Sequence, residues 1–327
     1  MSSPTVPNEA SPVTRPTGTS KLSWGVTLAI VGTFLFALKS IFIKLAFAAG
    51  ADATLLLTLR MLMALPFYVA VFATLMRRRN NSLPNSVPSD QAPKSGLPIP
   101  IMVRALSLGF LGYYLASYLD LSGLQYISAQ LERLTLFTYP AMVAALAWMF
   151  LGETLNRRIL AAIGLSYAGV WLMYGQESQF TTDGNTAWGV FLVFAAALSY
   201  SFYVLFAKPV MQQIGSREFT SLAMIGSTAF ALIHFFWFRS ASDLFAVQPV
   251  VYAYGLILAF VCTVIPSFMI NEAILTIGAT RTTVIGSVGP VLTMLLAILI
   301  LHEPSSWQHF AGMGIAIVGV SLVAKTR

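Results

Sequence analysis

Charge is what this chain has least of. Charged residues fill 9% of its 327 positions and hydrophobic residues 57%, against roughly 25% and 45–50% in a soluble domain. A water-soluble fold of this length could not cover its surface with so few charges, so the exterior must face lipid. Cysteine is almost absent: Cys262 stands alone inside an apolar run. That excludes a disulfide framework or a cysteine-built metal site and leaves a small packing residue. His234, His302 and His309 are widely spaced and HExxH is missing, so no histidine metal centre is expected. There is also no GxxxxGK[ST] stretch and no loop long enough for a nucleotide-binding domain, which excludes an ATP-driven pump. The net charge of +7 forms no basic face, so nucleic acid is not a partner. No cofactor is implied.

What is present is hydrophobic length, used twice. Stretches of about 17–25 mostly apolar residues fall at 24–47, 54–76, 102–119, 128–151, 158–175, 188–208, 219–238, 250–270, 282–301 and 308–324. Trp24-Gly25-Val26 and Lys44 reappear as Trp188-Gly189-Val190 and Lys208, 164 residues later. Pro140, Glu153, Gly164 and Gly169 recur as Pro290, Glu303, Gly314 and Gly319 at an offset of 150. A longer hydrophilic insertion in the first half, 77–100, explains the drop in offset. It opens with Arg77-Arg78-Arg79, is rich in proline, and reads as a flexible cytoplasmic loop. Residues 1–23 read as a disordered cytoplasmic tail. Placing both termini inside puts 14 of the 19 basic residues in cytoplasmic segments and only Arg239 in an outward loop, as the positive-inside rule requires. Five spans per copy is an odd number, so the second copy enters upside down. The fold class expected is all-α integral membrane: ten transmembrane helices as two inverted five-helix repeats, 24–175 and 188–324, around a central cavity. A multi-pass protein of the inner (plasma) membrane follows.

Tyr126 through Glu132-Arg133, Tyr139-Pro140, Leu151-Gly152-Glu153, and Ile277 through Arg281, Ser287-Val288-Gly289-Pro290 and Glu303 together resemble the EamA family of the drug/metabolite transporter superfamily. His302 stands where that family usually has glycine before the second glutamate. The resemblance implies a carrier with alternating access that moves small metabolites such as amino acids, often outward. The expectation is therefore a secondary transporter for a small organic solute, not an enzyme, with proton coupling open to it. The competing class is a membrane-embedded enzyme or a receptor that does not translocate. Neither of those needs two upside-down copies.

Charges inside the membrane are the natural site candidates, since each costs on the order of 2.5–3.5 kcal/mol on insertion scales. Lys39 lies about 22 Å into the first span at 1.5 Å per residue. It either faces the cavity as a partner for an anionic group, or snorkels or pairs structurally. Lys44, further out, reads as a snorkelling residue. Glu132, Thr135 and Tyr139 share i, i+3, i+7 spacing. If that stripe faces the cavity, Glu132 is a proton carrier or contacts a substrate ammonium. Otherwise it pairs with Lys39 or Arg60. Arg133 should diverge from Glu132 by about 100° and contact other neighbours, and Arg60 reads as an interhelical bonding residue. Tyr114, Ser117 and Tyr118, and Ser199, Tyr200 and Tyr203, offer aromatic hydroxyls to a pathway or to an interfacial belt. Asn271-Glu272 reads as a gate or, more simply, a solvated turn, and Glu153 and Glu303 as solvated ends at opposite membrane faces. Gly164, Gly169, Gly314 and Gly319 allow close helix approach, and Pro140 and Pro290 allow matched kinks.

Overall fold

The computed structural model describes residues 18–81, 97–152, 157–180 and 185–324. Every described element is helical, because backbone groups in lipid must be satisfied within their own segment or a closed barrel. The helices are α1 (Gly18–Ala48), α2 (Ala53–Asn81), α3 (Ile99–Gly109), α4 (Ala116–Leu124), α5 (Ala129–Leu136), α6 (Tyr139–Leu151) and α7 (Arg157–Phe180). They continue as α8 (Thr186–Ile214), α9 (Ser216–Phe238), α10 (Pro249–Ala259), α11 (Ile265–Ile277), α12 (Ala279–Gly286), α13 (Val288–Ile300) and α14 (Trp307–Ala324). Among the described residues eight helices are long and apolar enough to cross a membrane, and Val284–Ile300 is a shorter apolar helix. Trp237, Trp171 and Trp307 are 79%, 75% and 71% exposed; in water such exposure would be costly, whereas in a bilayer it is the lipid-facing surface.

The irregularities repeat with the sequence. Two π-helical segments, Phe110–Leu115 between α3 and α4 and Phe260–Val264 between α10 and α11, begin 150 residues apart. The fourth apolar run breaks at Phe137-Thr138 and the ninth at Ser287, again at that offset. Pro140 and Pro290 explain the breaks: each lacks the N–H that would bond the carbonyl four residues back. Gly152 and His302, also 150 apart, both take positive φ, 70° and 52°. The first is a left-handed helix cap of the usual kind; at the second a histidine adopts a conformation glycine favours.

Packing between the halves runs in opposite chain directions. Gly169 of α7 backs onto Gly312 and Ala316 of α14, while Gly319 meets Ala162 and Ser166; residues that rise along one helix meet residues that fall along the other. Of the four glycines expected to permit close approach, only Gly169 and Gly319 do so. Gly164 and Gly314 face open space. Asp52, whose carboxylate caps the Leu55 N–H at 2.9 Å, pairs with Arg239 at the far end of α9 at 2.5 Å. The start of α2 therefore lies beside the end of α9.

Some boundaries differ from expectation. Residues 18–23 are helical rather than tail, and 77–81 continue α2, because apolar burial further along the helix supports its polar ends. Residues 1–17 and 82–96, and Glu153, lie outside the described residues.

Candidate functional site

A cavity of about 170 Å³ sits inside the bundle. Its wall uses both halves at matching positions. Phe36 and Tyr200 are 164 apart, while Gly112 and Cys262, Tyr113 and Thr263, Ser117 and Ser267, and Asp120 and Ile270 are each 150 apart. Both π-helical segments therefore border it. A π turn widens the helix by one residue and redirects its side chains, a device found mostly at functional sites. Gly112 leaves room behind it for the Tyr203 ring.

The charges are not shared equally. Lys39, Arg60, Asp120 and Arg133 border the cavity, and all four come from the first half. Their counterparts at the same offsets are Tyr203, Met224, Ile270 and Thr283. Lys39 Nζ donates to Asp120 Oδ2 at 2.5 Å. Arg133 Nη2 donates to the Phe36 carbonyl at 3.0 Å and to Ser40 Oγ at 2.6 Å. Ser40 Oγ in turn donates to Glu132 Oε2 at 2.7 Å. The Asp120 and Glu132 carboxyl groups lie within hydrogen-bonding reach of each other. One oxygen on each, Asp120 Oδ1 and Glu132 Oε1, is buried with no donor. Arg60 is 2% exposed, and its Nε and Nη2 meet no partner among the described residues.

The sequence matches the model of the EamA-like transporter family twice, over residues 23–175 and again over 187–325. The chain belongs to that family. Among curated relatives of this EamA-like protein, the uncharacterized transporter YcbK of Bacillus subtilis is 28% identical over 294 residues, 89% of each chain. The uncharacterized transporter sll1319 of Synechocystis is 26% identical, covering 82% of this chain and 78% of its own. The WAT1-related protein At4g01440 of Arabidopsis thaliana is 25% identical over 71% of each. A crystal structure 14% identical in sequence superposes with a TM-score of 0.62 over 92% of this chain and 96% of its own, which supports the fold alone. The protein is thus a multi-helix membrane transporter of the drug/metabolite superfamily.

Against that frame of helices, the candidates read from sequence fall in different places. Lys39 and Tyr139 border the cavity. Glu132 and Thr135 are 0% exposed and lie behind the wall: the break at Phe137-Thr138 interrupts the helix, so the expected single stripe does not continue through Tyr139. Tyr203 also stands behind the wall, its hydroxyl bonded to Tyr113 at 2.9 Å and to Asn271 Oδ1 at 3.0 Å. Tyr114 and Tyr118 stack on each other and meet His234 edge-on, away from the cavity, because Tyr113, Ser117 and Asp120 take the cavity side of this run.

Several pairings differ from those expected. Lys39 binds Asp120 rather than Glu132. Glu132 and Arg133, expected to diverge, come within 3.9 Å because both reach for Ser40. Arg60, expected to bond between helices, has a covered Nε and Nη2 with no partner. Asn271 is no solvated turn: it lies in α11, 1% exposed, and donates to Tyr113 and Thr220 at 2.8 Å each. Glu303 is not merely solvated either. It accepts from the Ala129 N–H at 2.8 Å, while Glu177 accepts from the Ser128 N–H and hydroxyl at 2.6 Å each. Two carboxylates thus serve the open donors and positive end of α5. Lys44 is an electrostatic neighbour of Glu303 and Glu177 rather than a lone snorkelling residue. Asp120 escaped the sequence reading because the third apolar run stops at 119, whereas the helix runs on to Leu124.

Proposed function

We propose that this protein is a secondary transporter that carries a small amphipathic metabolite, an amino acid or related solute, outward across the inner membrane by alternating access. One observation carries the reading: a cavity bordered by matching positions of both halves, including both π-helical segments, encloses buried charges in a lipid-facing bundle. The opposed directions of α7 and α14, and of α2 and α9, support two inverted repeats, since helices related by a two-fold axis in the membrane plane must meet antiparallel. Ten crossings follow if α12–α13 and α14 each span. Lys44, Ser128, Glu177 and Glu303 gather at one end of the bundle, as expected if their connections share the outer face. The breaks within α5–α6 and α12–α13 give each half a joint for rocking.

In this reading Lys39 and Tyr139 contact the solute from the wall. The two donor-free carboxylate oxygens of Asp120 and Glu132 support a proton held between them, which satisfies both. Proton entry and exit there would be felt at Lys39 through Asp120 and at Arg133 through Ser40. Glu132 is the proton carrier, acting from behind the wall.

Liposomes containing the purified protein, offered a metabolite panel with and without a pH gradient, test this. Wild type should show solute-stimulated flux that the gradient accelerates. Lys39→Ala should reduce flux about tenfold, the equivalent of about 1.4 kcal/mol, and Glu132→Gln should remove the gradient's effect. Unchanged flux in both variants would sink the site assignment. No flux for any solute in a folded sample would sink the carrier.

A further inference from the structure

Among the described residues no group pairs with the Nε and Nη2 of Arg60. Its side chain borders the cavity and is almost wholly enclosed, yet Nε and Nη2 are covered and unpartnered. These two atoms form the side edge of the guanidinium, the edge that matches the two oxygens of a carboxylate. Buried polar groups in native proteins nearly always find partners, and a charge inside a membrane bundle more strictly so.

The acid on the same wall is engaged elsewhere. Asp120, on the same cavity wall as Arg60, gives Oδ2 to Lys39; its Oδ1 has no donor, and the Nε–Nη2 edge of Arg60 does not pair with it. Around the cavity three cations, Lys39, Arg60 and Arg133, face two carboxyl groups, Asp120 and Glu132. At least one positive charge is left over, and a proton shared by the carboxyls would leave two. Lys39 and Arg133 have close partners, so the surplus falls on Arg60.

We propose that Arg60 is the anchor for a carboxylate on the carried solute, engaged when the guanidinium turns its Nε–Nη2 edge toward the cavity. The proposal rests on the transport reading for the word carried, but the anion subsite stands or falls by binding alone. The rest of the solute would lie against Phe36, Leu136 and Phe137, which border the same space. The solute class is then a monocarboxylate with an apolar body. An amino acid qualifies; a neutral or purely cationic amphiphile does not.

Binding to the full-length protein in nanodiscs tests this without flux. The probes are sodium 3-phenylpropionate, its neutral amide, 3-phenylpropylamine and sodium formate, each read by calorimetry and by shift in Tm. Formate is small enough that poor fit of a larger body cannot hide the subsite. Wild type should bind the carboxylates saturably, with 3-phenylpropionate at least about tenfold tighter than the amide. Arg60→Gln should abolish that preference, and Arg60→Lys should keep part of it. A second readout needs no ligand: Arg60→Met should raise the Tm of the empty protein, because it removes a buried charge with unspent donors. A fall in Tm would mean that Arg60 is already satisfied within the protein and would overturn the proposal. So would equal binding of acid, amide and amine, retention of the preference in Arg60→Gln, or no saturable binding of either carboxylate. Loss of flux with carboxylate binding intact would remove the transport reading and leave the subsite standing.

Discussion

The buried polar side chains of this protein matter mostly as pairs, and pairs fail asymmetrically. Lys39 and Asp120 are 9% and 2% exposed and joined at 2.5 Å. Removing one leaves the other charged and desolvated, which costs about 3–5 kcal/mol, whereas replacing both with apolar residues is often close to neutral. Asp120→Leu should therefore lower Tm sharply in detergent, and adding Lys39→Met should recover most of the loss. If the double variant is no better than the single one, the pair is not the unit of stability. Asn271 holds a second network, with Tyr113, Tyr203 and Thr220. Asn271→Leu strands those hydroxyls at a cost of about 1–3 kcal/mol, measurable as reduced thermal stability without a change in helix content.

Among the elements, α7 and α14 meet through glycines. Close approach in lipid is driven by packing rather than by the hydrophobic effect, so small residues set the contact. Gly169→Leu should push the two helices apart and lower Tm, since the new side chain would meet the Gly312 carbonyl and Ala316. Gly164→Leu, on the same helix but facing open space, should leave Tm within experimental spread. His302 offers the opposite sign. It holds φ at 52°, which costs a non-glycine residue roughly 1–2 kcal/mol. His302→Gly should stabilise the turn ahead of Glu303 by up to about 1 kcal/mol, read as a higher Tm.

At the scale of the whole molecule, two copies of one backbone plan carry different chemistry. The π segments, the breaks before Pro140 and Pro290 and the cavity wall repeat. The buried charges do not, since every one at the cavity comes from the first half. For the proposed carrier, gradient sensing and solute charge selection should thus follow substitutions in the first half, while the second half supplies the matching wall. The proposed topology has a direct check. With Cys262 replaced by serine, an impermeant maleimide should label Ser242→Cys, in the turn after α9, from outside intact cells. Arg157→Cys, at the start of α7, should react only after the cytoplasmic face is opened. Labelling of both from the same side would overturn the five-crossing repeat.

Hydropathy, the 164- and 150-residue offsets and the paired prolines determined that the chain is a helical membrane protein built twice, because bilayer thickness and backbone satisfaction leave few alternatives for apolar runs of that length. The same reading placed Lys39 and Tyr139 among the residues worth watching. Which charges meet was decided only in the tertiary structure. Asp120 lies 81 residues from Lys39, and Ser40 lies more than 90 from the Glu132 and Arg133 it joins. Periodicity along one helix cannot see across helices, and it fails within one where a proline break resets the register, as at Phe137. The unpartnered edge of Arg60 is the sharpest case: a residue's lack of partners is a property of everything folded around it.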